Sequence, residues 1–98
     1  MGYFMVEIWL PKPMDEEFFA LIPQHRKLVN DLIERGLVNS YTVNEDRTKI
    51  WMLFNASEES EVKAHLKKLP IFPVVKTEIF KLFIADGEIF RLPKVNLN

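Results

Sequence analysis

The stretch LKKLPIFPVVKTEIFKLF, residues 66–83, sets two prolines around an Ile-Phe pair, between a run of helical composition and a run of strand composition. Pro70 has no amide hydrogen and disfavours helix in the residue before it, so it should stop a helix that closes on Lys67 and Lys68. Pro73 can begin a strand only where no ladder bond is needed from it, which is at the edge of a sheet. Ile71 and Phe72 are then pinned between the two prolines as an apolar plug over the sheet's end. The corner therefore predicts a helix returning to an edge strand at 74–84.

Upstream of the corner, Ser57 or Asn55 can cap that helix. Its first turn is acidic (Glu58, Glu59, Glu61), its last turn is basic, and its apolar stripe runs Val62, His65/Leu66, Leu69. Before it, residues 38–44 and 49–55 read as strands joined by Glu45-Asp46-Arg47-Thr48, a hairpin with a loop of moderate length. A first helix is predicted from the acids Asp15-Glu16-Glu17 to Gly36, with Phe18, Leu21/Ile22, His25, Leu28/Val29 and Leu32/Ile33 at helical spacing. Pro23 lies inside it and should kink the helix or restart it. Residues 3–10 form the first strand, stopped by Pro11-Lys12-Pro13. Downstream, Asp86-Gly87 offers a turn into a short strand, EIFRL, at 88–92.

The order is β-α-β-β-α-β plus an arm. It predicts one α+β domain over 1–98, with a ferredoxin-like core at 3–84, an arm at 85–98, and both helices on one face of an antiparallel sheet. Two helices cover one face only. Yet Ile50-Trp51-Met52-Leu53-Phe54 is apolar throughout and the first strand is interrupted only by Glu7, a pattern of strands buried on both sides. The economical cover for the second face is the same sheet of a second copy, giving a homodimer or a larger oligomer built from it.

Composition narrows the classes of function. Thirteen Lys+Arg against fourteen Asp+Glu leave a net charge of −1, so no general field draws the chain to nucleic acid or to an anionic membrane. No apolar run approaches the roughly 20 residues of a membrane span. The absence of cysteine removes disulfides, thiolate metal sites and cysteine nucleophiles. The first residues lack the basic start and small-residue cleavage site of a signal peptide, which points to the cytoplasm. Asn55-Ala56-Ser57 fits a glycosylation sequon but reads better as a helix cap.

Several of these segments resemble the muconolactone isomerase-like family. Leu69-Pro70-Ile71-Phe72-Pro73 looks like that family's Leu-Pro-Leu-Phe-Pro corner. Phe4-x-Val6-x-Ile8, the spacing Pro11 to Asp15, Gly36 and Ser57-x-Glu59 match in order, so the resemblance spans residues 3–83. It implies a dimer of ferredoxin-like subunits whose sheets meet face to face as an α/β barrel. It also implies proton transfer on an unsaturated lactone, without metal or cofactor. The family usually carries an acid in the middle of helix one and a Trp-Arg pair after it. Counted from Gly36 without gaps, those positions here hold His25 and Thr42-Val43.

Proton transfer needs a base beside a carbonyl and donors to steady an enolate. In the first strand Phe4, Val6, Ile8 and Leu10 take one side, and Tyr3, Met5, Glu7 and Trp9 take the other. The apolar set should meet the helices, leaving Glu7 inside the barrel, either as a base or in a cross-strand ion pair with Lys49, Lys76 or Lys81. His25, on the apolar stripe of helix one, suits proton shuttling, although a histidine so placed is more often a buried structural residue bonded to a carbonyl. Tyr3, Trp9, Tyr41 and Trp51 are candidates for an aromatic-lined pocket, and Arg26 for holding a ligand's carboxylate. His65 reads as structural, and the two histidines lack the spacing of a metal site. The alternative to an enzyme is a non-catalytic dimeric barrel that binds a small molecule or serves assembly.

Overall fold

The computed structural model describes residues 2–86, so the expected strand at 88–92 and its turn residue Gly87 lie outside the described residues. Six main elements follow in order: β1 (Gly2–Trp9), α1 (Glu16–Glu34), β2 (Val38–Val43), β3 (Lys49–Ala56), α2 (Glu59–Lys67) and β4 (Lys76–Leu82). They build a four-stranded antiparallel sheet in the order β2-β3-β1-β4. This is the ferredoxin-like α+β arrangement, with β4 at an edge.

The pleat divides the sheet cleanly. Phe4, Val6 and Ile8 of β1, paired with Phe54, Met52 and Ile50 of β3, are all buried in one core with Phe18, Val29 and Leu32 of α1 and Val62 and Leu66 of α2. The alternate residues Tyr3, Met5, Glu7 and Trp9, opposite Asn55, Leu53, Trp51 and Lys49, form the other face, which no helix covers.

Local chemistry sets the limits of α1. The Asp15 side chain accepts from the Phe18 amide at 2.9 Å, satisfying one of the helix's orphan donors, a bond whose loss costs about 1 kcal/mol. At the other end Gly36 adopts φ 76°; its amide donates to Ile33 O and the Leu37 amide to Leu32 O, each at 3.0 Å, which closes the last turn. Gly36 is there because that left-handed conformation strains any residue with a Cβ.

Four expectations need correction. The first helix does not restart at Pro23: it runs unbroken from Glu16 to Glu34, with Pro23 on the exposed side, where water can satisfy the carbonyl left without a partner. Neither Ser57 nor Asn55 caps α2. Asn55 belongs to β3 and Glu58 is the N-cap, while the Ser57 amide donates to the Glu61 carboxylate at 3.0 Å, so the helix start is tied from within its first turn. Pro73 does not begin the last strand. It lies in a single 3-10 turn, Phe72–Val74, where its fixed φ suits a helical start, and β4 begins only at Lys76. The last strand ends at Leu82 rather than 84. The plug itself is formed, with Ile71 in the core and Phe72 half-buried against it.

Candidate functional site

Tyr41 reaches its place through an irregularity in β2. Strict alternation would put it on the uncovered face, with Val38 on the helix face. The pairing slips between Val38 and Ser40, so Val38 faces Phe54 and Tyr41 faces Met52, both on the helix side. The extra residue turns Tyr41 under α1. There its hydroxyl lies 2.9 Å from Nε2 of His25, which is 1% exposed, and the two rings are tilted by 53°. The other ring nitrogen, Nδ1, is buried and has no partner. The guanidinium of Arg26, the next residue on the helix, stands over the Tyr41 ring, 4.8 Å from its centroid.

These residues border a hollow of about 270 Å³ between α1 and the ends of β1, β2 and β3. Its wall is otherwise mostly apolar: Leu10, Met14, Phe18, Phe19, Ile22, Val43 and Ile50, with Arg47 from the turn after β2. An apolar pocket with a few convergent polar groups, one of them buried and unpartnered, is where a small ligand is expected.

Burial, reinforced by the neighbouring Arg26 charge, lowers the His25 pKa from 6.5 to about 4. The imidazole is therefore neutral at pH 7. Burial raises the Tyr41 pKa, against the opposing pull of Arg26's hydrogen bond and charge, so the phenol keeps its proton. The pair offers a neutral imidazole that can take a proton and a hydroxyl that can donate one. An anion bound next to Arg26 would offset that guanidinium's charge and make the imidazole a stronger base.

The structure brings three of the sequence-predicted residues together, His25, Tyr41 and Arg26, and leaves four elsewhere. Tyr3, Glu7, Trp9 and Trp51 lie on the uncovered sheet face, so the sheet separates Glu7 from His25. Glu7 is ion-paired with Lys49, the cross-strand alternative, at 3.1 Å from Nζ to Oε2, and the same ammonium stands 5.6 Å from the Trp9 ring centre. His65 stacks on Phe54 with ring centres 6.3 Å apart, and burial lowers its pKa. A second hollow, about 330 Å³ between α2 and β4, is bordered by Glu59, Lys63, Lys67 and Glu78 and contains no buried polar group without a partner.

Sequence reasoning missed Phe19, Val43 and Arg47. Phe19 carried a signal: it falls off the apolar stripe of α1 and is 54% exposed, an aromatic with no core to serve. Arg47, in a polar turn, carried none.

No family model and no curated protein matches the sequence. Solved structures do match the fold. A crystal structure of muconolactone isomerase superposes with a TM-score of 0.72, covering 91% of this chain and 96% of that one, at 21% sequence identity. Among the described residues no helix is long and apolar enough to cross a membrane. Element order, strand order and the superposition agree: the chain has the muconolactone isomerase-like fold.

Proposed function

We propose that the chain is a small cofactor-independent enzyme that moves a proton on a small unsaturated lactone or carbonyl compound, in the hollow beneath α1. One observation supports this above the rest: a buried, neutral His25 whose one ring nitrogen meets the Tyr41 hydroxyl while the other has no protein partner. His25 takes the proton from the carbon beside the carbonyl. The electron pair of the broken C–H bond moves to the carbonyl oxygen, the Tyr41 hydroxyl donates to that oxygen, and the imidazolium returns the proton to the far carbon. The apolar wall keeps water from the intermediate.

The uncovered sheet face belongs to the same proposal as the contact of a homodimer. Met5, Trp9, Trp51 and Leu82 are half-buried there and Phe80 is 42% exposed, an apolar area that a second sheet would cover. Glu7 and Lys49 would then be enclosed in the barrel, which keeps Glu7 as a second candidate base. Turnover on a panel of small lactones and enol-forming acids separates the two candidates. His25→Asn is expected to lose at least roughly 100-fold in turnover, the usual worth of a positioned acid-base group. Glu7→Gln is expected to keep turnover, and both should melt near the wild type. Activity surviving in His25→Asn, or no activity in the wild type, would leave the non-catalytic ligand-binding or assembly barrel as the better account.

A further inference from the structure

β2 carries two unfavourable features, one near each end. Val38 meets Phe54 and Ser40 meets Leu53, so Asn39 has no residue opposite it in the ladder. Its side-chain Oδ1 is buried and has no hydrogen-bond partner. At the other end, the turn into β3 holds Arg47 at φ 59°, the one positive φ of a non-glycine residue among those described. Glycine adopts that backbone freely; an arginine does not. Asn44 ties the turn in this form. Its Oδ1 accepts from the amides of Thr48 and Lys49, both at 2.9 Å, its amide donates to Lys49 O at 3.2 Å, and its carbonyl accepts from the Arg47 amide at 3.0 Å.

A single move removes both. If Asn39 takes the place opposite Leu53, each later residue advances by one: Ser40 meets Met52, Tyr41 meets Trp51, Thr42 meets Ile50 and Val43 meets Lys49. The ladder becomes continuous, and Asn39 turns to the sheet face that no helix covers, where water reaches its amide. The link to β3 gains Asn44, which releases the turn and the constraint on Arg47. Against this, Tyr41 loses its 2.9 Å contact with His25 and its place beneath Arg26, and Asn44 loses its bonds in the turn. Gains and losses are each on the scale of one hydrogen bond or one turn preference, so they offset. β2 is an edge strand, so only its bonds to β3 have to be remade.

We propose that β2 exchanges between these two registers, with Asn39 as the spare residue that permits the move and the Arg47 turn as the latch. The observed register presents Tyr41 to His25 and Val43 to the hollow beneath α1. The other carries both to the opposite face of the sheet and brings Thr42 under the helix. Resting on the reading of the hollow as the reaction site, the second register is the inactive form of that site, and anything that binds against Tyr41 in the hollow draws β2 into the first.

Amide relaxation dispersion on the full chain reads such an exchange without any ligand. The wild type is expected to show one common process, on the microsecond-to-millisecond scale, at Asn39, Tyr41, Arg47 and Thr48 and at Trp51 and Met52 opposite them, with a minor state of roughly 1–10%. Arg47→Gly suits the turn as it stands and should lower the minor population at least ~3-fold. Tyr41→Phe removes the bond to His25 and should raise it about 5-fold, the worth of one hydrogen bond. Deletion of Asn39 leaves an unbroken ladder with Tyr41 still opposite Met52, so the exchange should vanish. If that deletion does not fold, the opposite responses of Arg47→Gly and Tyr41→Phe decide alone. Flat dispersion along β2 in the wild type would overturn the proposal, as would exchange that survives deletion of Asn39 or that neither substitution changes. If the exchange is found as described and no compound exchanges a proton, the two registers stand and only the proposed reaction falls. If proton transfer is found and β2 shows no exchange, the reaction stands and the second register falls.

Discussion

Between pH 7 and pH 4 the fold is expected to lose about 3 kcal/mol through His25 alone. The histidine's pKa drops from 6.5 to about 4 on burial, and each unit of difference between the folded and unfolded chain is worth about 1.4 kcal/mol. The sign follows from which state binds the proton first. Below 6.5 the unfolded chain is protonated at this position while the native imidazole, enclosed and beside Arg26, stays neutral, so acid favours unfolding. The contribution is complete above pH 6.5, is lost progressively as pH falls, and is gone below about 4, where both states are charged. Urea unfolding of the wild type and of His25→Asn across this range isolates it, because the carboxylates and His65 titrate in both proteins and cancel in the difference. The stability gap between the two should shift by about 3 kcal/mol against the wild type on acidification. Parallel curves would mean that His25 is not held neutral in the native state.

Trp51→Lys is expected to turn a dimer into a monomer or into insoluble protein. Trp51 sits in the middle of β3, in one of the sheet's two central strands, and faces Glu7 on the side that no helix covers. In the proposed face-to-face dimer a lysine there would be buried against the partner's sheet. Glu7, already engaged by Lys49, would not neutralise it without giving up that pair, and an unpaired buried charge costs roughly 3–5 kcal/mol. Sedimentation at micromolar concentration reads the outcome directly: wild type at the dimer mass, the variant at half of it. A folded wild-type monomer, or an unchanged dimer in the variant, would remove this face as the contact.

The fold was legible because its signals are local and repeated. Alternation in β1 and the stripe of α1 each depend on neighbours a few residues away, and each is seen where the spacing puts it; the proline corner follows the end of α2 as expected, but Pro73 lies in a 3-10 turn rather than opening the strand. The candidate site was legible only in part, because it depends on register. His25 and Arg26 were placed correctly on α1 by helical periodicity. Tyr41 was grouped with Tyr3, Trp9 and Trp51 by its aromatic character alone, and the slip between Val38 and Ser40 places it on the opposite side of the sheet from them. No residue type in Val38-Asn39-Ser40 announces that slip. Glu7 and His25 were both candidates for proton transfer because both interrupt apolar patterns, yet a period-2 and a period-3.6 pattern say nothing about which side of one sheet each will meet. Arg47 enters through a backbone conformation, φ 59°, that its own sequence context does not demand.

The central claim, a proton transfer run by His25 and Tyr41 beneath α1, is tested most directly by hydrogen exchange at carbon. Small enol lactones and unsaturated acids, incubated with the protein in deuterium oxide and followed by proton NMR, report removal of a C–H proton even when no net product accumulates. The account predicts that the wild type speeds deuterium incorporation beside the carbonyl well above the buffer rate, and that His25→Asn, folded and of similar melting temperature, returns it to that rate. Incorporation at the buffer rate with the wild type, or equal incorporation by wild type and His25→Asn, would contradict it.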